Sequence, residues 1–381
     1  MRVANIIEEG KVGGPQVRML RVAKAMTDVE TLIVMPTSNS DQFQEMCDDF
    51  GVSWRAVPMT RITKEWRVAM GYILFSPVEV LRLVRLFRRE HIDLVHASGG
   101  SWQYKGVIAA FLAGVPSVWH LNDTSMPRLF RRIFRLFSAL PAGFIFASER
   151  SRDYYGAELA TRLQAVIPSA VDCGQFSTAA NPAGDEEILE ILRQAPVIGT
   201  VANVSRVKGL ETLIHAAAEL RRTHPDVRVL IVGPVHVNQA RYHAGLVALA
   251  DSLGVSEAIV WAGARTDIRP LLARMDVYIC SSLAESSPVS VWEAMAMERP
   301  VVSTDVGDVP AHLVDGVSGY VVPVYDNLAL AAKVATLLDD PKLRADFGKA
   351  AREVIFEKFA PAQIAEQTHD LYRRILEARR M

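Results

Sequence analysis

The chain has 381 residues, of which 50% are hydrophobic and 22% are charged, and its formal net charge is −1. That length exceeds one typical core and predicts two domains, while the near-neutral charge gives no reason to expect a nucleic-acid partner. The three cysteines, Cys47, Cys173 and Cys280, are too widely spaced for a metal-binding or redox motif, and such sparse cysteine favours a reducing compartment.

No segment of the sequence predicts export or a membrane span. The opening residues MRVANIIEEGKVGGP contain one short apolar run followed at once by acids, which is a poor match to a signal peptide. No apolar stretch approaches the roughly 20 residues that a membrane-spanning helix needs. We therefore expect a cytoplasmic protein that binds, at most, to the inner face of the cell membrane.

Short β-branched runs alternate with longer helical patterns along the first half of the chain. Most of these runs are continuously apolar, which is typical of parallel strands covered on both faces. The predicted strands are residues 3–7, 31–36, 54–59, 93–98, 117–122, 143–148 and 165–171. They predict a doubly wound α/β domain over residues 1–175.

A second series of strands and helices follows a break in composition. Residues 176–196 are rich in small, acidic and turn-forming residues and are predicted to be a linker. Because strand–helix alternation then resumes over 197–358, we expect two Rossmann-like domains with a cleft between them. The predicted strands of the second domain are residues 197–204, 227–233, 258–263, 277–282, 300–307 and 319–324.

Ligands of open parallel sheets bind beyond the carboxyl ends of the strands. In the first domain Gly13 and Gly14 precede Pro15 at a predicted helix start that would favour an anion, with a plain strand-to-helix turn as the equal alternative. His120 ends a strand, where it is either a hydrogen-bonding or acid/base group or an ordinary core histidine. The loop lacks G-x-G-x-x-G, which argues against NAD or FAD.

Arg206 and Lys208 flank the turn that follows the first strand of the second domain. Two cations beside a helix start favour a phosphate between them, and solvated surface cations are the alternative.

Glu285 and Glu293 stand eight positions apart in AESSPVSVWEAMAMERPVVSTDVG (284–307). A Ser-Pro pair between them is typical of a helix N-cap and first helical residue, so the amides of Val289 and Ser290 are predicted to suit a phosphate oxygen. Both carboxylates suit sugar hydroxyls. For Glu293 alone, an exposed helix residue is the alternative.

Together these motifs resemble the retaining glycosyltransferases of family 4. The stretch from Glu285 to Glu293 is similar to the family's E-x7-E signature, and residues 300–324 resemble the segment that follows it. Lys208-Gly209 matches its K-G motif, Gly13-Gly14 its N-terminal G-G, and AVIPSAVDCGQF (165–176) its v-I-P-N-G-V-D-x-x-x-F. The resemblance covers almost the whole chain. It implies the GT-B fold, with two Rossmann-like domains, an interdomain cleft and a C-terminal helix, 359–381, that returns to the N-terminal domain.

The resemblance also implies a nucleotide-sugar site in the second domain. Glu293 would hold the ribose, Glu285 would meet hydroxyls of the donor sugar, and Lys208 would bind the diphosphate. The amides of Val289 and Ser290 would assist Lys208.

Further roles follow from the same resemblance. His120 would lie beside the donor sugar and complete a catalytic set with Glu285 and Lys208. Gly13 and Gly14 would let acceptor and phosphate approach, and the turn Gly263–Arg265 would lie against the nucleotide base. The family needs no bound metal, so neither a metal nor another cofactor is expected.

Three positions depart from the family's pattern. Asn203 stands where the family has an arginine five residues before the lysine, and Arg206 is expected to replace it. Ser287-Pro288 stands in place of F-G, and Pro288 has no N–H to offer a phosphate. Residues 308–312 lack the family's glutamate. We expect rearranged donor contacts or weakened activity.

Residues 51–150 are basic, with 14 lysines and arginines against 6 acids. Arg82, Arg85 and Arg89 recur there at helical spacing. The stretch PRLFRRIFRLF (127–137) either binds an anionic membrane surface or packs its apolar face on its own sheet. Its basic stripe is Arg128, Arg131, Arg132 and Arg135, and its apolar stripe is Phe130, Ile133, Phe134 and Phe137.

We therefore expect a retaining, hexosyltransferase-type enzyme that transfers a sugar from a UDP-sugar, rather than a GDP-sugar, to a glycan, lipid-linked or small-molecule acceptor. Glycan or glycoconjugate biosynthesis at the cytoplasmic membrane face is the expected setting. One alternative is a nucleotide-sugar epimerase of GT-B fold, which would need no acceptor. The other is a non-catalytic two-domain ligand-binding protein, which would show no turnover.

Overall fold

The computed structural model describes residues 1–62, 66–124, 126, 128–156, 159, 161–178 and 186–380, without the side chains of 66–69, 128 and 129. The chain forms two compact units. The first consists of Met1–Ala170 and Pro361–Met381, and the second of Val171–Ala360.

The first unit is built on a seven-stranded parallel sheet with the order β3-β2-β1-β4-β5-β6-β7. Every residue of β4, β5 and β6 is buried, as expected for strands covered by helices on both faces. The strands are β1 Arg2–Ile6, β2 Glu30–Pro36, β3 Trp54–Val57, β4 Leu94–Ala97, β5 Ser117–Leu121, β6 Gly143–Phe146 and β7 Leu163–Val166. The helices are α1 Gly14–Ala25, α2 Asp41–Phe50, α3 Trp66–Arg89, α4 Tyr104–Ala113, α5 Arg128–Phe137 and α6 Glu149–Tyr155.

The second unit is built on a six-stranded parallel sheet with the order β10-β9-β8-β11-β12-β13. Its strands are β8 Val197–Val201, β9 Arg228–Val232, β10 Ile259–Gly263, β11 Val277–Cys280, β12 Val301–Thr304 and β13 Gly319–Val322. Its helices are α7 Glu186–Ile191, α8 Leu210–Leu220, α9 Ala240–Ser252, α10 Arg269–Arg274, α11 Val289–Ala296, α12 Val309–His312, α13 Asn327–Asp339 and α14 Pro341–Lys358. The prediction of two doubly wound, Rossmann-like α/β domains is confirmed.

Each sheet has one point where the strand order reverses direction. In the first unit it lies between β1 and β4, and in the second it lies between β8 and β11. The loops that leave the carboxyl ends of the two strands diverge there, which opens the crevice where ligands of such sheets bind. A functional site is therefore expected in the loops after β1, β4, β8 and β11.

Several helix starts follow signals that are visible in the sequence. Pro15 lies in the first turn of α1, where its missing N–H leaves no intrahelical bond unmade. The side chain of Ser148 accepts a hydrogen bond from the amide of Ser151 and caps α6. Asp340 caps α14 in the same way, through the amide of Leu343.

The predicted linker, 176–196, differs from the structure. Phe176, Ile188 and Leu192 lie in the core of the second unit together with Val171 and Cys173. Ile188 and Leu192 are four positions apart, so one helical turn can bury both. The surrounding acidic and small residues conceal that apolar pair in the composition, and residues 179–185 lie outside the described residues.

The return of the chain to the first unit also begins later than position 359. Phe359 is buried in the core of the second unit, and its carbonyl accepts a hydrogen bond from the amide of Val171 at 2.9 Å. The last helix, α15, runs from Pro361 to Arg380 and packs against α1 and β7 of the first unit. Within the described part of the chain, no helix is both long and apolar enough to cross a membrane.

Candidate active site

Lys208 lies at the end of a short 3-10 turn, Arg206–Lys208, which follows β8. The next residue, Gly209, has a φ of 57° and begins α8. A Cβ atom at Gly209 would fall closer than 3.0 Å to the carbonyl oxygen of Ser281, so only glycine fits the turn at this position. Ser281 also donates from Oγ to the carbonyl of Lys208 at 3.0 Å, which fixes the turn against the segment after β11.

This anchoring brings Lys208 and Glu285 together. Nζ of Lys208 lies 2.6 Å from Oε1 of Glu285, and Oγ of Ser282 donates to the same carboxylate oxygen at 2.7 Å. The side chains of Lys208 and Glu285 are only 23% and 15% exposed. One follows β8 and the other follows β11, so the ion pair lies where the strand order of the second sheet reverses.

The loop that carries Glu285 is held by residues of PVVSTDVG. Gly307 has a φ of 55°, and a Cβ atom there would fall closer than 3.0 Å to the carbonyl oxygen of Ser286. The amide of Asp308 donates to that carbonyl at 2.9 Å, and Oγ1 of Thr304 donates to the carbonyl of Ser282 at 2.6 Å. The segment PVVSTDVG, which follows both glutamates in the sequence, therefore positions the loop that carries Glu285.

Helix α11 begins one residue later than the Ser-Pro pair predicts. Pro288 has extended backbone angles, φ −76° and ψ 94°, and is the N-cap, so Val289 is the first helical residue. Oγ of Ser287 accepts a hydrogen bond from the indole Nε1 of Trp292 at 3.1 Å instead of capping the helix. The amides of Val289 and Ser290 still occupy the first turn, where no carbonyl of the helix itself accepts from them.

Glu293 lies inside α11 and is only 8% exposed, so the alternative of an exposed helix residue is wrong. Ser290, one turn earlier, accepts a hydrogen bond from the hydroxyl of Tyr278 on β11 at 2.9 Å. Burial raises the pKa of Tyr278, which therefore stays protonated and acts as a donor. The start of α11 is thus tied to the strand beneath it.

Arg206 does not join the Lys208–Glu285 pair. Its guanidinium carbon lies 5.2 Å from the ring centroid of Tyr242 on α9, and Tyr242 in turn donates to Glu211 at 2.5 Å. Arg206, Glu211 and Tyr242 line a separate cavity of about 910 Å³ between α8 and α9. Within the described part of the chain no ion pair links Arg206 to Glu285, and its expected role in place of the arginine missing at Asn203 stays a prediction.

The predicted base-binding turn Gly263–Arg265 ends β10. Gly263 has a φ of 67°, and its carbonyl accepts a hydrogen bond from the amide of Gly233 at 2.9 Å. Arg265 is exposed and donates to the carbonyl of Ala264 at 2.9 Å. This turn is therefore a solvent-accessible backbone surface.

In the first unit, His120 is the penultimate residue of β5 and is 4% exposed. Its Nδ1 lies 3.3 Å from Nε2 of His96 on β4, and Nδ1 of His96 lies 2.5 Å from the hydroxyl of Tyr372 on α15. The two imidazoles stack with their ring centroids 5.4 Å apart. The Nδ1 side of the His120 ring is therefore packed in the core against His96, whereas Nε2 has no hydrogen-bond partner among the described residues.

The charge of both histidines is suppressed. Burial lowers the pKa of His120 well below 6.5, and the positive charge of Arg18 lowers it further. Burial lowers the pKa of His96 as well, and the positive charge of Arg18 lowers it further. Both imidazoles are therefore neutral at neutral pH, and His120 can bind a ligand through Nε2 but holds no stored proton for acid catalysis.

Gly13 and Gly14 are exposed; Gly13 is the N-cap of α1 and Gly14 is its first residue. Gly13 has extended backbone angles, φ −158° and ψ −172°, and a Cβ atom there would meet the chain only at ordinary contact distances. The fold itself does not require glycine at position 13, so any need for it would come from a ligand.

Sequence analysis did not identify three residues of this region, Arg18, His96 and Tyr372. His96 is the penultimate residue of the apolar strand β4, as His120 is of β5, and that shared position was a usable signal. Arg18 falls within the amphipathic pattern of α1, and Tyr372 lies far along the chain on α15. Neither of these two carried a signal in the sequence.

Comparison with known proteins identifies two families of domain. The chain matches the model described as "Glycosyl transferases group 1" over residues 185–354 and the model "Glycosyltransferase Family 4" over residues 12–175. The Anabaena protein HepE, crystallised with UDP and glucose, superposes with a TM-score of 0.82 at 22% identity, over 97% of this chain and 98% of that one. At that identity the superposition shows a shared fold.

Two curated relatives illustrate the range of similarity. The chain is 32% identical over 209 residues to alpha-maltose-1-phosphate synthase of Mycolicibacterium smegmatis, an alignment that spans 51% of this chain and 53% of that protein. It is 29% identical over 320 residues to alpha-D-kanosaminyltransferase of Streptomyces kanamyceticus, spanning 78% of this chain and 81% of that protein. With one family model on each half and a GT-B architecture throughout, the chain belongs to the group 1 glycosyltransferases of family 4 type.

Proposed function

We propose that the protein is a retaining glycosyltransferase that moves a sugar from a nucleoside-diphosphate sugar to a glycan, lipid-linked or small-molecule acceptor. The observation that carries the proposal is the Lys208–Glu285 pair beside the first turn of α11. It places a cation, a carboxylate and free helix-start amides at the point where the second sheet reverses its strand order. The cation and the amides suit a diphosphate, and the carboxylate suits the hydroxyls of a sugar.

Each group has a distinct role in this proposal. Lys208 and the amides of Val289 and Ser290 bind the diphosphate and stabilise its negative charge as it departs, so no metal is needed. Glu285 accepts hydrogen bonds from donor-sugar hydroxyls, and the buried Glu293 accepts them from the ribose. Since Lys208 and Glu285 pair with each other, donor binding must exchange that ion pair for contacts to the phosphate and the sugar.

We propose a UDP-sugar as the donor, supported by the presence of UDP in the superposed HepE crystal. In the first unit, neutral His120 offers Nε2 to a bound substrate, since that atom has no hydrogen-bond partner among the described residues. Retention of configuration is carried over from the family.

Nucleotide binding tests the site directly. UDP, GDP and ADP are added to the wild type, to Glu293→Gln and to the control Glu219→Gln, whose carboxylate pairs with Arg222 on the exposed face of α8. A ligand at 100 times its Kd adds about 2.7 kcal/mol of stability, so UDP should raise the melting temperature of the wild type and the control but not of Glu293→Gln. If no nucleoside diphosphate stabilises folded protein, or if Glu293→Gln responds like the wild type, the donor site is refuted.

Turnover then separates the competing activities. A glycosyltransferase releases UDP in proportion to acceptor and keeps its rate in EDTA. Conversion of the donor sugar without any acceptor would instead identify an epimerase, and binding without turnover would identify a ligand-binding protein.

We also propose that the first unit binds an anionic membrane surface. Helix α5 supports this weakly, because Phe134 is buried, Phe130 and Phe137 pack against the same core, and Arg131 donates to the carbonyl of Tyr154 at 3.2 Å. The side chain of Arg128 lies outside the described residues. The remaining cations, Arg132 and Arg135, are exposed beside Ile133 and Leu136.

Helix α3 supports membrane binding better. Ile73 and Leu74 are 67% and 72% exposed, and the exposed apolar surface continues along the helix to Leu81. Exposed Arg82 and Arg85 follow directly. An apolar strip joined to a row of cations suits the boundary between acyl chains and anionic headgroups.

Vesicle sedimentation tests this surface. Binding to vesicles that contain anionic lipid should fall sharply in Leu74→Ser and should weaken as salt rises, while neutral vesicles bind little. A matched control is Phe356→Ser, which removes an exposed apolar side chain from α14 in the second unit. Equal binding to neutral and anionic vesicles, or equal binding by both variants, would contradict the proposal.

A further inference from the structure

Arg18 is a buried cation that has no counter-ion among the described residues. It lies in α1, is 5% exposed, and its Nε and Nη2 atoms have no hydrogen-bond partner among the described residues. No ion pair involves Arg18 within the part of the chain that the structure describes. Arginine is almost never fully buried unless it is paired.

The guanidinium keeps its charge despite this burial. Burial lowers the pKa of Arg18 to about 10, which still leaves it protonated at neutral pH. Its neighbours cannot neutralise it, because His96 and His120 are neutral and burial raises the pKa of the Tyr372 hydroxyl. An uncompensated buried charge opposes folding, so this arrangement is costly unless a ligand supplies the missing negative charge.

The two unpartnered atoms of Arg18 have a specific geometry. Nε–H and Nη2–H form one edge of the planar guanidinium and point in parallel, which matches two oxygens of a carboxylate or a phosphate. Nε2 of His120 is a further buried polar atom without a hydrogen-bond partner in the described part of the chain. These atoms come from different elements, α1 and β5, and the field of Arg18 acts on both histidines.

The location is that of a ligand site. Helix α1 follows β1, His96 lies on β4 and His120 on β5, so the cluster lies at the strand-order reversal of the first sheet. In the proposed function the phosphates of the donor bind to Lys208 and the start of α11 in the second unit. An oxyanion bound in the first unit therefore comes from the other substrate.

We propose that the Nε–Nη2 edge of Arg18, together with Nε2 of His120, binds a phosphate or carboxylate group carried by the acceptor. The inference rests on the proposed function, since it names the acceptor class of that reaction. It excludes an uncharged sugar as the whole acceptor and directs a screen toward sugar phosphates, polyol phosphates and hydroxy acids.

Inorganic phosphate is the probe, and thermal unfolding of the full chain is the measurement, with potassium chloride at equal ionic strength as the blank. Phosphate should raise the melting temperature of the wild type, and Arg18→Met should lose that shift. The control is Arg21→Met, one turn along α1, because Nη1 of Arg21 donates to the carbonyl of Ala170 at 3.0 Å. Arg21→Met should melt lower than the wild type and keep the phosphate shift.

The sign of the stability change without phosphate separates ligand binding from a structural role. Arg18→Met removes an uncompensated charge and should melt at or above the wild type, whereas a structural arginine would melt lower when replaced. Arg18→Lys keeps the charge but loses the two-pronged edge, and its apparent phosphate affinity should fall at least tenfold. It serves as the test if the methionine variant fails to fold.

Saturating UDP distinguishes the two sources of the oxyanion. A phosphate shift that persists with UDP bound supports an acceptor site, and a shift that UDP abolishes assigns the oxyanion to the donor and overturns the proposal. An absent phosphate shift in the wild type, or an equal shift in Arg18→Met, also overturns it. The UDP shift of Arg18→Met reports separately on the donor site, so a failure of the proposed function is recognised independently.

Discussion

Gly209 offers a quantitative test of how the donor site is positioned. Its φ of 57° is in the left-handed region, and a Cβ atom there would fall closer than 3.0 Å to the carbonyl oxygen of Ser281. Gly254, in the loop after α9 of the same unit, has a similar φ of 68° but open space around it. Replacing each with alanine separates the cost of the backbone conformation from the cost of the steric clash.

The two costs are estimated separately. A left-handed conformation costs an L-residue roughly 1–2 kcal/mol, so Gly254→Ala should lose about that much stability. Gly209→Ala bears the same cost, and the forced backbone shift adds roughly 1–3 kcal/mol. In a unit of this size, about 1 kcal/mol corresponds to roughly 2–4 °C of melting temperature, so Gly209→Ala should melt clearly below Gly254→Ala.

The clash should also affect binding. Moving the turn away from Ser281 pulls Nζ of Lys208 from the position it occupies 2.6 Å from Glu285. We expect UDP affinity to fall at least tenfold, or about 1.4 kcal/mol, in Gly209→Ala and to stay unchanged in Gly254→Ala. Thermal melting and UDP titration of both variants measure these effects. Equal melting temperatures, or wild-type UDP affinity in Gly209→Ala, would refute the claim that this close approach positions Lys208.

Glu285→Gln should bind UDP several-fold more tightly, because Lys208 loses the carboxylate that competes with the phosphate, and its rate of sugar transfer should fall. UDP titration measures the first effect and a turnover assay the second. Weaker UDP binding by this variant would contradict the prediction. Burial lowers the pKa of His312 to about 4, so the folded state disfavours its protonation, and stability should be intact above the unfolded pKa of about 6.5 and decline as pH falls toward 4. His312→Phe should show a smaller decline between pH 7 and pH 5 in urea unfolding; equal declines would reject this cause. Tyr372→Phe leaves Nδ1 of His96 without the hydroxyl that lies 2.5 Å away. This loss should cost about 1–3 kcal/mol of stability and should not change UDP affinity. Unchanged stability, or weaker UDP binding, would count against a purely structural role for Tyr372.

Local patterns in the chain were sufficient to predict the architecture. Each of the thirteen predicted strands overlaps an observed one, because parallel strands covered on both faces require continuous apolar runs. Lys208 and Glu285 were predicted for a similar reason. Each follows a predicted strand of one sheet, and parallel strands bring their carboxyl ends to the same edge.

Boundaries and side-chain directions were not predictable in this way. Part of the expected linker belongs to the core of the second unit, because Ile188 and Leu192 are buried there. Whether such a pair is buried depends on the residues it packs against, which lie elsewhere in the chain. Arg206 extends toward Tyr242 because α9 provides an aromatic ring there, and α9 lies outside the local sequence of the turn. Likewise, α11 begins one residue later than predicted, because Ser287 accepts a hydrogen bond from Trp292 and does not cap the helix.

The cluster in the first unit was decided by tertiary structure alone. Arg18, His96, His120 and Tyr372 come from four elements, and Tyr372 is 276 positions from His96 along the chain. The lowered pKa of the histidines has no local signature in the sequence, and neither has the lack of a counter-ion for Arg18 among the described residues. Both depend on which groups surround a buried side chain. The chain's periodicity determined where strands and helices form, whereas folding determined which charges are paired and which remain for a ligand.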